Sequence, residues 1–445
     1  MSQPGLIAAA LVVMGCGLVL TPSPPGGASA AAQPPSSQPR RLAVARVLSA
    51  AGSFASRLAT GTEYRPLPAE ADIHSTDRLV AFPGASLVSK NGRIALAFPG
   101  DLFGDAPAPI YDTVCVLHPA EEVDLDVTLE SGRLVVGNTA AEGAATCRLR
   151  FWNQTWTIAL ETPETRLLLD LSSRWPAGTR FQPRKMNRPG SATPVATALL
   201  VVLKGQATVD VGGVALALTA PPGPAELRWD SLHDPPRVAR KLEQLPPWAD
   251  PQRPLTPPAR ALAETFDRFR QLFAREPDQA LTRFATAKEL LPRLVALHVA
   301  QALDVLEHLE QTLNAPATKD EWDLCVTLLR HWIARQPNHD QFLYDFLLTR
   351  QQYAPAEGRI FLQLLLGFSE DDLRQTETYQ VLLDYLTHEK ATLRNLAAWH
   401  LLRLLPEAQR FPYKPAGSRE DALRVRDQWK QLLPPPSLPS PGKER

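Results

Sequence analysis

The sequence contains few cysteines: only Cys16, Cys115, Cys147 and Cys325 occur in 445 residues. No two of them form a C-x-x-C pair, so the sequence predicts neither a structural zinc site nor a thioredoxin-like dithiol. The nine histidines are scattered, and none forms the i, i+4 pair that is typical of a metal-binding helix. We therefore predict no metal site and no cofactor.

The chain also lacks net charge, because 47 Lys and Arg residues are balanced by 47 Asp and Glu residues. A neutral chain has no overall attraction to nucleic acid or to an anionic membrane surface. The composition therefore predicts no nucleic-acid partner.

Catalytic motifs are missing as well. Neither a G-x-S-x-G nucleophile elbow nor a P-loop or Rossmann glycine pattern occurs. The clustered carboxylates have simpler explanations: Asp124 and Asp126 fit the solvated face of a strand, and Glu370 to Asp372 fit the first turn of a helix. We predict no catalytic residue and expect that the protein is not an enzyme.

The N-terminus does contain a clear signal, an apolar run from Leu6 to Leu20. Ala28-Ser29-Ala30 follows in the A-x-A arrangement of a signal peptidase site. We interpret residues 1–30 as a secretory signal peptide and residues 31–40 as a linker, and we expect an extracytoplasmic location in the periplasm or cell envelope. The alternatives are an uncleaved N-terminal anchor, which is the only predicted contact with a membrane, and lipidation at Cys16.

Short segments of alternating apolar residues, separated by turn residues, fill residues 41–230. This pattern predicts an all-β domain, an antiparallel sandwich or roll. Its clearest hairpin has Asn91-Gly92 at a type I′ turn, with Leu87 opposite Leu96.

A second hairpin is expected in the stretch Val123 to Thr139, where Ser131-Gly132 interrupts the apolar alternation. Asp124 and Asp126 alternate with apolar residues there, so their carboxylates are expected on the wet side of the sheet.

A proline-rich segment, residues 231–255, ends the β pattern, and we predict that it is a linker with few contacts across it. From Thr256, which can cap a helix, the apolar period becomes helical. The expected helices are 280–313, 319–335, 340–353, 355–367, 370–387, 390–405 and 418–432. They form an all-α C-terminal domain over residues 256–433, and residues 434–445 are predicted to be a disordered tail.

Two parts of the chain resemble known families. Residues 75–98, STDRLVAFPGASLVSKNGRIALAF, resemble a FecR-type domain, and residues 199–213, LLVVLKGQATVDVGG, resemble a later hairpin of that domain. Residues 390–407, KATLRNLAAWHLLRLLPE, resemble one HEAT-like helix. FecR-type domains occur in bacterial envelope proteins that sense or bind extracytoplasmic ligands. The resemblance implies a FecR-like β-domain followed by a HEAT-like helical array.

Two cysteines of the β-domain are candidates for a disulfide. Cys115 and Cys147 both lie in strand-like segments, and an oxidising compartment would preserve a bond between them. The alternative is two buried thiols that act as small apolar residues. Cys325 is expected to remain unpaired in a helix.

Two tryptophans are candidates for ligand binding. Trp152 and Trp156 flank a turn near Asn153, and exposed tryptophans of a β-domain can stack on sugar rings. The alternative is that both rings pack in the core or against the turn.

The leading functional prediction is an exported, non-enzymatic envelope protein, in which a FecR-like binding or sensing domain is coupled to a helical protein-interaction domain. Its expected partner is an envelope protein or a cell-wall polymer. The first alternative is a carbohydrate- or peptidoglycan-binding module that uses Trp152 and Trp156. The second is a divergent envelope hydrolase.

Overall fold

The structure, a computed structural model, describes residues 41–104, 110–184, 192–415 and 417–433. The predictions about the signal peptide, the linker after it and the C-terminal tail concern residues 1–40 and 434–445, which lie outside these ranges. Strands occur from Ala43 to Leu242, the β region, and helices from Pro257 to Lys430, the helical region. The predicted order of a β part followed by an α part is confirmed.

The strands of the β region follow the alternation seen in the sequence. In the segment ATCRLRF, for example, Ala145, Cys147, Leu149 and Phe151 are buried while the residues between them are partly exposed. The strands are β1 (Ala43–Val47), β2 (Phe54–Arg57), β3 (Arg65–Pro66), β4 (Asp72–His74), β5 (Arg78–Ala81), β6 (Ala85–Ser89), β7 (Ile94–Phe98), β8 (Thr113–His118), β9 (Leu125–Asn138), β10 (Ala145–Phe151), β11 (Gln154–Leu160), β12 (Arg166–Arg174), β13 (Val195–Lys204), β14 (Gln206–Val211), β15 (Val214–Thr219), β16 (Gly223–Asp230) and β17 (Arg240–Leu242).

These strands form two sheets that share β9. One sheet has the order β4-β1-β6-β7-β9-β12-β13-β16-β17. The other has the order β3-β2-β5-β8-β9-β10-β11-β14-β15. The described pairs are antiparallel except β9 with β10, which is parallel. Apolar side chains of both sheets, including Leu87, Trp156 and Leu200, pack in one core.

The prediction of a hairpin at Ser131-Gly132 is wrong, because both residues lie inside β9, a continuous strand of 14 residues. Before this point β9 pairs with β8 and β10, and after it with β7 and β12. Gly132 has a φ of 96°, and a Cβ atom there would lie 2.5 Å from the carbonyl oxygen of Asp112. The glycine therefore lets the strand bend from one sheet into the other instead of reversing.

The register of the first predicted hairpin is confirmed, since Leu87 pairs with Leu96. Its turn differs from type I′, which requires positive φ at both central residues. Gly92 has a φ of 76° but Asn91 does not have a positive φ, and the Gly92 amide donates to the carbonyl of Ser89 at 2.8 Å.

The helical region begins as predicted, because the Thr256 side chain accepts a hydrogen bond from the amide of Ala259. Its helices are α1 (Pro257–Arg275), α2 (Pro277–Ala285), α3 (Leu290–Ala302), α4 (Leu306–Asn314), α5 (Lys319–Arg335), α6 (His339–Thr349), α7 (Pro355–Leu366), α8 (Glu370–Leu373), α9 (Thr376–Tyr385), α10 (Ala391–Leu404) and α11 (Arg419–Lys430), with a 3₁₀ helix at Pro406–Arg410. In the described ranges no helix combines the length and apolar character needed to cross a membrane.

The single helix expected over residues 280–313 is instead divided into α2, α3 and α4. The second break lies at Asp304, whose φ of 61° places it in the left-handed region. A residue in that conformation cannot continue a right-handed helix.

The β and helical regions share a hydrophobic core, contrary to the expectation of few contacts between them. Phe82 of the β region contacts Phe269 and Phe273 of α1 edge to face, with ring centroids 5.5 and 6.2 Å apart. The segment predicted as a linker also contributes structure, because β17 pairs with β16. The described residues after Arg40 therefore belong to one compact unit.

Candidate functional site

A segment of the β region crosses onto the helices. Residues 175–184, the strap, follow β12 and lie against α5, α6 and α7. The Trp175 indole donates to the carbonyl of Ile333 at 2.9 Å. The amide of Phe181 donates to the Gln363 side chain at 3.1 Å, and that side chain donates to the carbonyl of Thr179 at 3.1 Å. The strap is thus held by main-chain hydrogen bonds of the kind that bind an extended peptide.

The end of the strap is fixed by an ion pair. The Arg184 guanidinium donates to both carboxylate oxygens of Asp340, at 2.8 and 2.5 Å, and the Asp340 side chain is only 3% exposed. The Phe181 ring packs on Tyr344 with centroids 5.3 Å apart. The strap therefore covers this surface of α5, α6 and α7.

A partly buried ionic cluster joins the two regions next to the break at Asp304. Oδ1 of Asp304 accepts hydrogen bonds from Trp332 Nε1, at 3.0 Å, and from Arg335 Nη2. Oδ2 accepts from Arg78 Nη1 at 2.7 Å and from Arg57 Nη1 at 3.2 Å. Burial alone would raise the pKa of Asp304, but the Arg335 and Arg78 guanidiniums hold it well below its ordinary range. A carboxylate with four donors cannot serve as a general base, so the cluster is a structural connection.

Asp112, just before β8, is the unusual member of this neighbourhood. Its side chain is buried, and neither carboxylate oxygen has a hydrogen-bond partner among the described residues. Burial raises the pKa of Asp112 to about 6, with the Arg335 guanidinium opposing the shift. Nε and Nη1 of Arg335 are likewise buried and unpartnered within the described part of the chain. The carboxyl group of Asp112 therefore favours its protonated form more than an exposed aspartate does.

This raised pKa predicts a pH-dependent stability. The pKa of about 6 in the folded state exceeds the ordinary value of 3.8, so the contribution of Asp112 to stability is full below pH 3.8 and is lost as the pH rises through 6. We expect Asp112→Asn to be more stable than the wild type at pH 8, by up to about 3 kcal/mol, and similar to it at pH 4. Urea unfolding at both pH values measures this.

The matched control for that experiment is Asp371→Asn, because the Asp371 side chain is 86% exposed. It should leave the difference in unfolding free energy between pH 4 and pH 8 close to that of the wild type. An Asp112→Asn protein with the wild-type pH profile would contradict the buried position of this carboxylate.

An open groove lies on the helical region where the start of α5 meets the chain after α10. Its cavity volume is about 570 Å³. We call it the aromatic groove, and its lining residues are Pro316, Ala317, Thr318, Lys319, Trp322, Asp323, Leu402, Arg403, Gln409, Pro412, Tyr413 and Pro415. Pro316 precedes α5 on one wall, and Pro412 and Pro415 lie in the chain after α10 on the other. Because proline does not fit inside a helix, these segments are not helical.

Trp322 and Tyr413 line this groove with ring centroids 5.9 Å apart, and Tyr413 is the more exposed of the two. The Tyr413 hydroxyl donates to Asn395 Oδ1 at 2.8 Å, which fixes the ring. Asp323 lies on the rim and accepts hydrogen bonds from Lys319 and, at 2.9 Å, from Arg403. The groove is therefore an apolar surface whose rim carries Asp323 paired with two cationic side chains. Such a surface suits a ligand segment that is apolar with a few polar groups.

The structure does not support Trp152 and Trp156 as a ligand-stacking pair. Trp156 is 0% exposed, pairs with Leu149 across β10 and β11, and contacts Phe151 edge to face. Trp152 lies in the turn with a φ of 49° and packs against the same core. Trp152 is therefore itself a turn residue and does not flank the turn, and strand alternation points Trp156 inward, away from any sugar.

The predicted disulfide between Cys115 and Cys147 is also wrong, and both are unpaired, buried thiols. Cys115 pairs with Leu129 on one side of β9, and Cys147 pairs with Leu125 on the other side. The two cysteines are separated by two strand spacings, roughly 9–10 Å, and by four residues along β9, roughly 13 Å. The distance between their Cα atoms therefore exceeds the limit of about 7 Å for a disulfide. Cys325 is unpaired as expected, and its thiol donates to the carbonyl of Leu309 at 3.0 Å.

Asp126 was expected on the wet side of the sheet but is buried. Its carboxylate accepts hydrogen bonds from Arg150 at 2.7 Å and from Arg148 at 3.3 Å. These arginines on the neighbouring strand compensate the charge, because buried carboxylates require paired donors.

No family model, no curated protein and no solved structure matches the chain. Over the described ranges there is also no group of three or more His, Cys, Asp or Glu side chains that could hold a metal ion.

Proposed function

We propose that the protein is an exported, non-enzymatic envelope protein whose helical region binds a partner protein through the aromatic groove. The groove carries this proposal, because it offers Trp322 and Tyr413 beside an ion-paired rim, while the helix surface under the strap is already covered. Peptide-binding sites of this kind take an extended segment on aromatic rings. The apolar N-terminal run supports export.

In this proposal the β region is a FecR-like binding or sensing domain, and the short paired helices are a HEAT-like array. The strap and the Asp304 cluster support the idea that the two regions act together, since both contacts would have to break before one region moved alone. Ligand binding to the β region would then affect the groove through a rigid connection.

The test is capture of a partner from cross-linked envelopes, followed by rebinding of the purified partner. Pro412→Glu places a charge at an exposed lining residue of the groove, and we expect it to weaken rebinding at least about tenfold, the equivalent of about 1.4 kcal/mol. Lys414→Glu changes an exposed residue of the same segment that does not line the groove, and it should bind like the wild type.

Equal binding by both variants would exclude the groove as the partner site. Turnover of polysaccharide, peptide or ester substrates by the purified protein would contradict the non-enzymatic assignment.

A further inference from the structure

A second cavity lies where the end of β12 meets the helical region. Ser173 and Arg174 of β12 line it together with Trp175 of the strap, and α5, α7 and α10 provide the rest of the lining. We call it the arginine cavity. Its volume of about 260 Å³ is slightly below the roughly 300–1,000 Å³ of sites for drug-sized molecules, so it suits a smaller ligand.

The arginine cavity carries positive charge without a compensating carboxylate. Its described lining residues include Arg174 and Arg330 but no Asp or Glu. Arg174 is exposed and Arg330 is partly buried, and neither has a hydrogen-bond or ion-pair partner among the residues that the structure describes. By contrast Arg293, whose side chain is 18% exposed, pairs with Glu321. The guanidinium of Arg330 is therefore a charge that the described chain does not neutralise.

The indole of Trp399 lies beside this charge. The guanidinium carbons of Arg330 and Arg403 are 5.6 and 3.6 Å from the centroid of its ring. Trp399 Nε1 is buried and has no acceptor within the described ranges. Burial, followed by the charge of Arg403, lowers the pKa of Arg330. An anion next to Arg330 would oppose both causes, because an opposite charge at short distance favours the ionised form.

The cavity also has apolar walls, formed by Trp175, Ile333, Leu365, Leu366 and Trp399. We propose that it binds a small organic anion, with a carboxylate or phosphate group on Arg330 and Arg174 and an apolar body against these walls. A guanidinium can donate two parallel hydrogen bonds to either acid group. Because the cavity is lined by β12 and by three helices, the bound anion would add a contact between the β and helical regions.

Fluorine NMR of probe compounds with the purified full-length protein tests this proposal. The probes are para-fluorobenzoate, para-fluorophenyl phosphate and the neutral para-fluorobenzamide, which matches the benzoate in shape. We expect both anions to bind. The amide should bind at least about tenfold more weakly, because hydrogen bonds between ionised groups are roughly twice as strong as those between neutral groups. The anion that binds more tightly identifies the acid group that the cavity prefers.

Arg330→Met removes the charge but keeps a long side chain, and it should weaken binding of both anions at least about tenfold. Its urea midpoint should not fall below that of the wild type, because the lost cation has no carboxylate partner within the described ranges. Arg174→Met changes an exposed side chain, so it keeps the test decisive if Arg330→Met fails to fold, and it should weaken binding at least about threefold. The matched control is Arg359→Met, at an exposed position of α7 outside the lining, which should bind like the wild type.

The proposal is overturned if neither anion binds, if the amide binds as well as the benzoate, or if the affinities survive both Arg330→Met and Arg174→Met. An equal loss in Arg359→Met would show general attraction to a basic protein instead of a site. Pro412→Glu changes the aromatic groove, and it should leave binding of the anions unchanged. A loss in that variant would place the probes in the aromatic groove and would also overturn the arginine cavity as their site. Failure here and failure of partner binding at the groove are thus separate results.

Discussion

Asp304→Ala is expected to lower the free energy of unfolding by about 3–5 kcal/mol. The substitution removes the acceptor of four donors and leaves the Arg335 guanidinium, which is 0% exposed, buried without its carboxylate. Urea denaturation measures the loss. Because the cluster joins the two regions, far-UV circular dichroism and tryptophan fluorescence should give coincident transitions for the wild type and separated ones for this variant.

Two further variants sharpen this result. Arg57→Met removes the most exposed donor of the cluster and should cost no more than about 1 kcal/mol. Combining Asp304→Leu with Arg335→Met should recover part of the loss, because an apolar replacement of a buried ion pair leaves no uncompensated charge. An Asp304→Ala protein within about 1 kcal/mol of the wild type would show that the cluster contributes little to joining the regions.

The sequence predicted local structure well where one physical rule acted alone. The register of Leu87 with Leu96 followed from alternation and a turn glycine, and the start of α1 followed from Thr256 before Pro257. The bounds of α5, Lys319–Arg335, match the predicted helix because Thr318 caps its start. These features depend on neighbours in sequence, which a single chain displays directly.

Features that depend on distant residues were missed. Ser131-Gly132 carries the signature of a turn, and only the pairing of β9 with strands of both sheets shows that the glycine bends one continuous strand. Asp304 looked like one more polar residue within a long helix. Its role became visible once the fold brought Arg78 and Arg335 to it, and these two residues lie 257 positions apart in sequence.

The candidate sites show the same limit. The strap had a recognisable signal, Trp175 and Phe181 among prolines, but the sequence does not say which helices receive these rings. The aromatic groove combines Trp322 of α5 with Tyr413, which follows α10 and is distant from it in sequence, so only the packing of α5 against the chain after α10 creates the groove. Amphipathic periodicity places residues on a helix but does not choose the neighbour that covers them.

Trp156→Ala should also lower the free energy of unfolding by about 3–5 kcal/mol, since it empties a large volume of the core beside Phe151, whose ring also contacts Trp229. Trp152→Asn is the matched control. Asparagine tolerates the left-handed conformation that Trp152 adopts, with its φ of 49°, so the backbone of the turn should be preserved. We expect this control to cost about 1 kcal/mol or less, because its ring is only partly buried.

The same pair of variants decides between a structural and a ligand-binding role for these tryptophans. If Trp156 belongs to the core, urea denaturation of Trp156→Ala should show a lower midpoint. Any loss of sedimentation with insoluble cell-wall polymer should then equal the fraction of the variant that is unfolded. A Trp156→Ala protein with wild-type stability that no longer sediments with the polymer would restore the carbohydrate-binding hypothesis. Because the Trp156 side chain is 0% exposed, that second result would require the turn to open and expose the ring.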